Sequence, residues 1–283
     1  MSNVVTAWQI KPENGSLLEP VVLKPAPLSL DQGTRLLPGG GYTTFRTFGR
    51  FRVLRLEEHF LRLEETARLA GKLVQLDREK ISLGLHQALA AYPANEMRVR
   101  VTLDLERAPG TIYILVDELH TPGDEDYRQG VGVVTRQMQR QNPKAKLTSF
   151  ISTASAVREK LPPGINEAVM IGEDGRALEG LSSNFFAVTS GVIWTAEQGV
   201  LSGITRSLVL EVIAEEGIPL RLEGVPAADL GRLDEAFITS ASRAVLPVTI
   251  IDGQAVGDGL PGPVTRRLME GYHNRLEREL DSI

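Results

Sequence analysis

The 283-residue chain contains no cysteine. That excludes disulfides, thiolate metal sites and a cysteine nucleophile together, and it fits a reducing compartment. No metal site is expected. No apolar run approaches the ~20 residues a helix needs to cross a bilayer. Residues 1–15 show no basic stretch followed by an apolar core, so no secretory signal is expected and the chain reads as cytoplasmic. The formal net charge is −5, with no block of like charge. A nucleic-acid partner, which would call for clustered Lys and Arg, is therefore not expected. Lysine is scarce: seven residues against 24 arginines. What is present is ordinary for a globular protein, with 42% hydrophobic and 24% charged residues, enough for a sizeable core. The length suits two domains or one large one.

Strand signals fill the first third. Val4 to Ile10 alternates loosely, and Tyr42 to Phe48 is rich in β-branched and aromatic residues. The glycines Gly39, Gly40 and Gly41 before it mark a tight or close-approach loop. Arg52 to Leu56 reads as the returning arm of a hairpin turned at Gly49-Arg50. From Leu56 to Leu73 the period becomes helical, with Phe60, Leu63, Ala67 and Ala70 on one face. A second helix is predicted over Asp77 to Ala91, with Asp77 as N-cap. Met97 to Leu105 alternates as a half-buried strand, and Thr111 to Val116 is its neighbour. These elements make a small α+β domain over residues 1–122.

A larger, strand-rich domain is expected over residues 128–283. Its strands begin with Gly132 to Gln137 and end with Val245 to Ile251. Its helices are predicted at Thr148 to Lys160, Ile204 to Glu216 and Pro263 to Leu280. The fold class is α+β.

Three stretches could carry chemistry. Lys146 stands at the entry to the first of these helices, before Leu147-Thr148-Ser149-Phe150. A lysine becomes a nucleophile when its surroundings depress its pKa or when it forms an imine with a carbonyl. It also reads as a long basic side chain snorkelling from a strand end, the commoner fate. Gly203-Ile204-Thr205-Arg206 opens a helix, where free N–H groups and the dipole favour a phosphate; an ordinary capped helix looks the same. Glu179 ends an apolar run and enters the turn Gly180-Leu181-Ser182-Ser183-Asn184. A carboxylate there suits a pyridinium nitrogen, or is simply a glutamate at a strand end.

The order and company of these stretches resemble the class IV aminotransferases, the fold-type IV pyridoxal 5'-phosphate (PLP) enzymes. These comprise branched-chain aminotransferases, D-amino acid aminotransferases and 4-amino-4-deoxychorismate lyases. The resemblance runs from about Gly41 to Gly253. It rests on Glu-Gly-x-Ser-Ser-Asn-Phe-Phe from Glu179, on Gly-Ile-Thr-Arg from Gly203, on Asp234-Glu235-x-Phe237 followed by Val245-x-Pro247-Val248, and on Ile251-Asp252-Gly253. His59-x-x-Arg62-Leu63 is similar to the family's first-domain helix segment.

The resemblance implies a two-domain fold with a pseudo-barrel sheet in the larger domain, PLP as cofactor and at least a homodimer. It implies Lys146 as the Schiff-base lysine and proton carrier, and Glu179 on the pyridine nitrogen. Arg62 would clamp the phosphate with Gly203, Ile204 and Thr205. Ser183 and Asn184, inside the first motif, and Ser240 and Ser242, in the last phosphate-side loop, would also bind the cofactor. Tyr42, Thr44, Arg46 and Arg100 would face the substrate, with Arg46 the expected holder of its carboxylate.

The implied reaction is transamination between an amino acid and a 2-oxo acid. Elimination of pyruvate from an aminodeoxychorismate-like substrate is the alternative, favoured by Thr43-Thr44. The subfamily marks are mixed. Ile151 stands where branched-chain enzymes carry Tyr, and Leu103 and Leu105 stand where D-amino acid enzymes carry Arg and His.

Overall fold

The computed structural model describes residues 5–12 and 17–283. The first part of the chain forms β1 (Thr6–Ile10), β2 (Glu19–Pro20), α1 (Leu30–Arg35), β3 (Gly40–Arg46), β4 (Arg52–Leu54), α2 (Leu56–Leu69), α3 (Arg78–Ala91), β5 (Met97–Asp104) and β6 (Ile112–Glu118). Next come α4 (Asp124–Gln129), β7 (Val131–Gln137), α5 (Ser149–Arg158), β8 (Ile165–Ile171), β9 (Ala177–Gly180), β10 (Asn184–Thr189), β11 (Val192–Trp194), α6 (Ile204–Glu215) and β12 (Leu220–Arg221). The chain closes with β13 (Glu235–Ser240), β14 (Ala244–Ile251), β15 (Gln254–Ala255), α7 (Pro263–Leu276) and β16 (Leu280–Ser282). Val4, where the first strand was expected to start, lies outside the described residues.

The chain divides into two units. One comprises Met1–His120, Ala145–Ser155 and Glu279–Ile283, the other Thr121–Lys144 and Ala156–Arg278. The expected assignment of all of 128–283 to one domain is thereby corrected: the segment carrying Lys146 and the C-terminal tail both group with the first unit.

In the first unit an antiparallel sheet runs in the order β2-β1-β6-β5-β3. Alternation along β5 sends Val99, Val101 and Leu103 into the core with Phe60 and Leu63 of α2 and Ile81 and Leu85 of α3. Each such fully buried aliphatic stabilises by roughly 2 kcal/mol. Arg98, Arg100 and Thr102 take the opposite face. Asp77 caps α3 as expected, accepting the Lys80 N–H at 3.0 Å.

The expected hairpin at Gly49-Arg50 is reduced to one antiparallel bridge, in which Phe48 N–H donates to the Arg52 carbonyl at 2.8 Å. β3 pairs along its length with β5, whereas β4 pairs with β16. The helix expected to run to Leu280 stops at Leu276, because the tail is drawn into that pairing. There Asp281 accepts the Leu56 N–H at 2.6 Å and Arg55 pairs with Glu279 at 2.9 Å. The first turn of α2, which has no capping side chain of its own, is thus capped from the far end of the chain.

The second unit is built on a nine-stranded mixed sheet. β9 pairs with both β8 and β10, so that β10, β13, β14, β7, β8 and β9 form a closed ring. The pair that closes it is Glu179–Asn184. Phe185, Ala187, Ala236, Ile238, Leu246 and Val248 gather in one apolar cluster. The residues alternating with them take the other face: Asn184 and Phe186, with their partners Thr239 and Phe237. Glu235 on β13 accepts the Val264 and Thr265 N–H groups at 2.9 and 2.6 Å. That buried carboxylate holds the N-terminus of α7, where Pro263 opens the helix.

Candidate active site

The first-unit residues gather at the edge of β3. The segment carrying Lys146 runs alongside that strand. Tyr42 N–H donates to the Lys146 carbonyl at 2.9 Å, and Thr148 N–H donates to the Gly40 carbonyl at 2.9 Å. The glycine run is needed for close approach: a Cβ on Gly40 would lie 1.9 Å from the Leu103 carbonyl oxygen. Lys146 therefore lies beside Tyr42, its ammonium 4.9 Å from the ring centroid. The Arg100 guanidinium stands 4.8 Å from the centroid of the same ring. Arg100 is only 6% exposed. It donates to Thr44 Oγ1 and Thr34 Oγ1, both at 3.0 Å, and pairs with Asp31 at 2.9 Å. A solvent-facing role for Arg100 is excluded by this burial. Arg46, two positions along β3, pairs instead with Glu96 at 2.8 Å and lies over the Phe48 ring.

α2 faces the other side of this edge. His59 is buried, and its Nδ1 lies 2.5 Å from Thr43 Oγ1. Burial pushes the imidazole well below its ordinary value of 6.5. The positive charges of Arg62 and Lys146 push it further, and a hydrogen bond with the Leu54 backbone counters them. Arg62 is half-buried one turn along from His59. A neutral His59 beside two cations leaves a positive potential suited to a phosphate.

The sign of the pH effect follows. A base whose folded pKa is depressed contributes stability above its unfolded value, and this is lost as pH falls toward the folded one. From pH 6.5 downward, stability is expected to fall by up to about 1.4 kcal/mol per pH unit on account of this histidine. Glu64 and Glu167, held below 4.5, add their own loss only in more acid solution. Urea denaturation between pH 5 and 7 checks the effect: His59→Gln should flatten the dependence, and equal slopes in both proteins would contradict it.

In the second unit, Glu179 is 2% exposed. Its Oε1 accepts from Arg140 Nε at 2.7 Å. Its Oε2 accepts from Leu201 N–H at 3.2 Å and from Asn184 Nδ2 at 3.4 Å. Asn184 also donates to the Leu201 carbonyl at 2.8 Å. Arg140 was not singled out by sequence. It sits in a polar stretch, Gln137 to Asn142, where nothing marks a buried arginine, and only ring closure puts it against Glu179.

α6 begins at Gly203, which offers no capping side chain. A Cβ there would fall 2.1 Å from Asn184 Oδ1, so glycine is required. Ile204 and Thr205 are buried at the start of the helix. Arg206, the last residue of the Gly-Ile-Thr-Arg stretch, turns away to Glu197 and the Ala196 carbonyl, at 2.7 and 3.0 Å.

Ser183 donates to Glu167 at 3.1 Å, and Ser240 Oγ accepts from Arg243 Nε at 3.1 Å. Arg243 pairs with Glu167 at 2.9 Å. Burial works to raise the Glu167 pKa, but Arg243 and the Ser182 hydroxyl hold it below its ordinary value. These two serines therefore fasten the 240–243 turn. Ser242 lies half-buried in the same turn.

The model of the family described as amino-transferase class IV matches residues 40–251, a span that includes every residue just described except Asp31 and Thr34. The chain belongs to the amino-transferase class IV family. A branched-chain-amino-acid aminotransferase of Pseudomonas aeruginosa is 27% identical over 237 residues, covering 78% of this chain and 77% of that protein. A D-alanine aminotransferase of Bacillus licheniformis is 40% identical over 115 residues, 40% of each chain. The crystal structure of the T.th. branched-chain amino acid aminotransferase with pyridoxamine 5'-phosphate shares the fold. Its TM-score is 0.79 at 23% identity, with 100% of this chain and 99% of that one covered.

This class IV chain is a PLP-dependent aminotransferase acting between amino acids and 2-oxo acids. Pyruvate elimination is set aside. The relatives that match this chain are branched-chain and D-alanine aminotransferases. The residues fit the cofactor. A helix start without a capping side chain suits a phosphate, and a buried carboxylate suits a ring nitrogen. The Thr239 hydroxyl, in register with Asn184, is buried without a hydrogen-bond partner among the described residues, a polar group that an occupant would satisfy.

Proposed function

We propose that Lys146 holds PLP, that Glu179 faces its ring nitrogen, and that Arg62 and the first turn of α6, with the Thr205 hydroxyl, bind its phosphate. Asn184, bonded to Glu179 and packed on Gly203, orients both groups. Arg100, rather than Arg46, takes the substrate carboxylate. The observation that carries this reading is the Tyr42 ring, contacted by both the Lys146 ammonium and the Arg100 guanidinium. One aromatic wall thus serves the lysine and the carboxylate-binding arginine. Arg46 is tied to Glu96, about 7 Å further along the strand by the rise of two residues.

When bound, PLP supplies the electron sink for the carbanion formed at the donor Cα. Glu179, steadied by Arg140, keeps a negative charge where the ring nitrogen holds its proton. Nζ of Lys146 takes the Cα proton. Tyr42 walls off water beside it.

An aliphatic amino acid is the proposed donor, as in the branched-chain relatives, and a homodimer in the cytoplasm is the proposed setting. Among the described residues no helix is long and apolar enough to cross a membrane. The donor test is a screen of D- and L-amino acids added alone to the PLP-loaded protein, following the cofactor's visible absorbance. Aliphatic donors should bleach it, and a 2-oxo acid should restore it. Absorbance that no amino acid changes would contradict the reading.

For the carboxylate, Arg100→Met is expected to raise the KM for the 2-oxo acid about ten- to a hundredfold, the loss of one charge-assisted hydrogen bond. Arg46→Ala should leave it unchanged. The opposite pattern would return the role to Arg46.

A further inference from the structure

Lys146 belongs to no helix and no strand, so its main chain must be held by other elements. Its carbonyl accepts from Tyr42 N–H, as described. Its own N–H donates to Thr66 Oγ1 at 3.2 Å. Thr66 is fully buried on α2, four residues and one turn beyond Arg62.

The approach is close. A Cβ on Gly41 would lie 3.0 Å from Thr66 Cγ2 and 3.3 Å from its Cβ. The missing side chain at Gly41 is what lets the helix come near enough for the hydroxyl to reach Lys146. Threonine is a poor helix former, and valine would fill the same space on an apolar face. The hydroxyl is accounted for by the amide it serves, because a buried N–H without an acceptor is costly.

We propose that Thr66 is a positioning residue for Lys146. Its hydroxyl, carried on the helix that also bears Arg62, fixes the main chain from which the lysine projects over the Tyr42 ring. The inference rests on the reading of Lys146 as the lysine that holds PLP.

The test compares wild type, Thr66→Ser, Thr66→Val and Lys146→Ala at subsaturating PLP. Borohydride trapping of PLP on protein is quantified peptide by peptide by mass spectrometry. Thermal melting and the pH titration of the cofactor absorbance are followed in parallel. Thr66→Ser, which keeps the acceptor, should label the Lys146 peptide at the wild-type rate. Thr66→Val should label it about tenfold more slowly, since small misplacements of a reacting group are felt strongly, and its absorbance titration should be displaced. Should the valine variant not fold, Thr66→Ala removes the hydroxyl without adding bulk and is read in the same way. Wild-type labelling and an unmoved titration in the hydroxyl-less variant, whatever its melting temperature, would overturn the positioning role. Wild-type trapping on another lysine in Lys146→Ala would instead overturn the reading of Lys146 beneath it.

Discussion

Lys146→Ala is expected to abolish transamination, lowering turnover by about 10⁴-fold or more, because one substitution removes the group proposed both to hold PLP and to act as the base. The fold should survive. Two contacts of the Lys146 main chain help to seat this segment, Tyr42 N–H to its carbonyl and its own N–H to Thr66, and alanine keeps both. A melting temperature within a few degrees of wild type, with loss of the visible cofactor band, is the expected signature. Turnover near wild type in this variant would show that another lysine does the chemistry.

Glu179→Gln is the second large effect. Glutamine preserves the shape and still offers an oxygen to Arg140 Nε, now held at 2.7 Å, but it removes the charge proposed to face the ring nitrogen. Turnover should fall by about 10²–10³-fold, the scale of losing one preorganised electrostatic partner. Affinity for PLP, which the groups proposed to bind its phosphate would chiefly set, should change far less. Some loss of stability is expected too, since Arg140 is left buried beside a neutral partner. Melting curves separate that loss from the chemical one. A kcat close to wild type at saturating substrate would remove Glu179 from the role.

How much of this was legible in the sequence differs from residue to residue, for physical reasons. Glu179, Asn184 and Gly203 lie in short contiguous stretches whose residue types must coexist, because they meet across one ring closure and one helix start. Lys146 was legible only through its place ahead of them; its own surroundings are ordinary.

Strand alternation separates Val99, Val101 and Leu103 from Arg98, Arg100 and Thr102; the structure packs the first set against the helices and sets Arg100 beside Tyr42 and Thr44. Alternation could not say which arginine on that face is buried. That depends on α1, whose Asp31 and Thr34 enclose Arg100. The six-residue α1 is too short to show a period, although Ser29 caps it by accepting the Gln32 N–H at 3.2 Å. Arg140, His59–Thr43 and Thr66–Lys146 are contacts between segments 16 to 80 residues apart. No local pattern encodes them. The same holds for the C-terminal tail, read as helix to Leu280 because its apolar spacing continues, yet drawn off into β16 by the open edge of β4.

The central claim is that Lys146, of the seven lysines, carries the cofactor. The most direct measurement reduces the PLP-loaded wild-type protein with borohydride, digests it, and locates the phosphopyridoxyl group by mass spectrometry. The expected result is stoichiometric label on the peptide containing Lys146 and Leu147 and none elsewhere. Label on Lys144, on Lys160 or on any lysine other than Lys146 would contradict it.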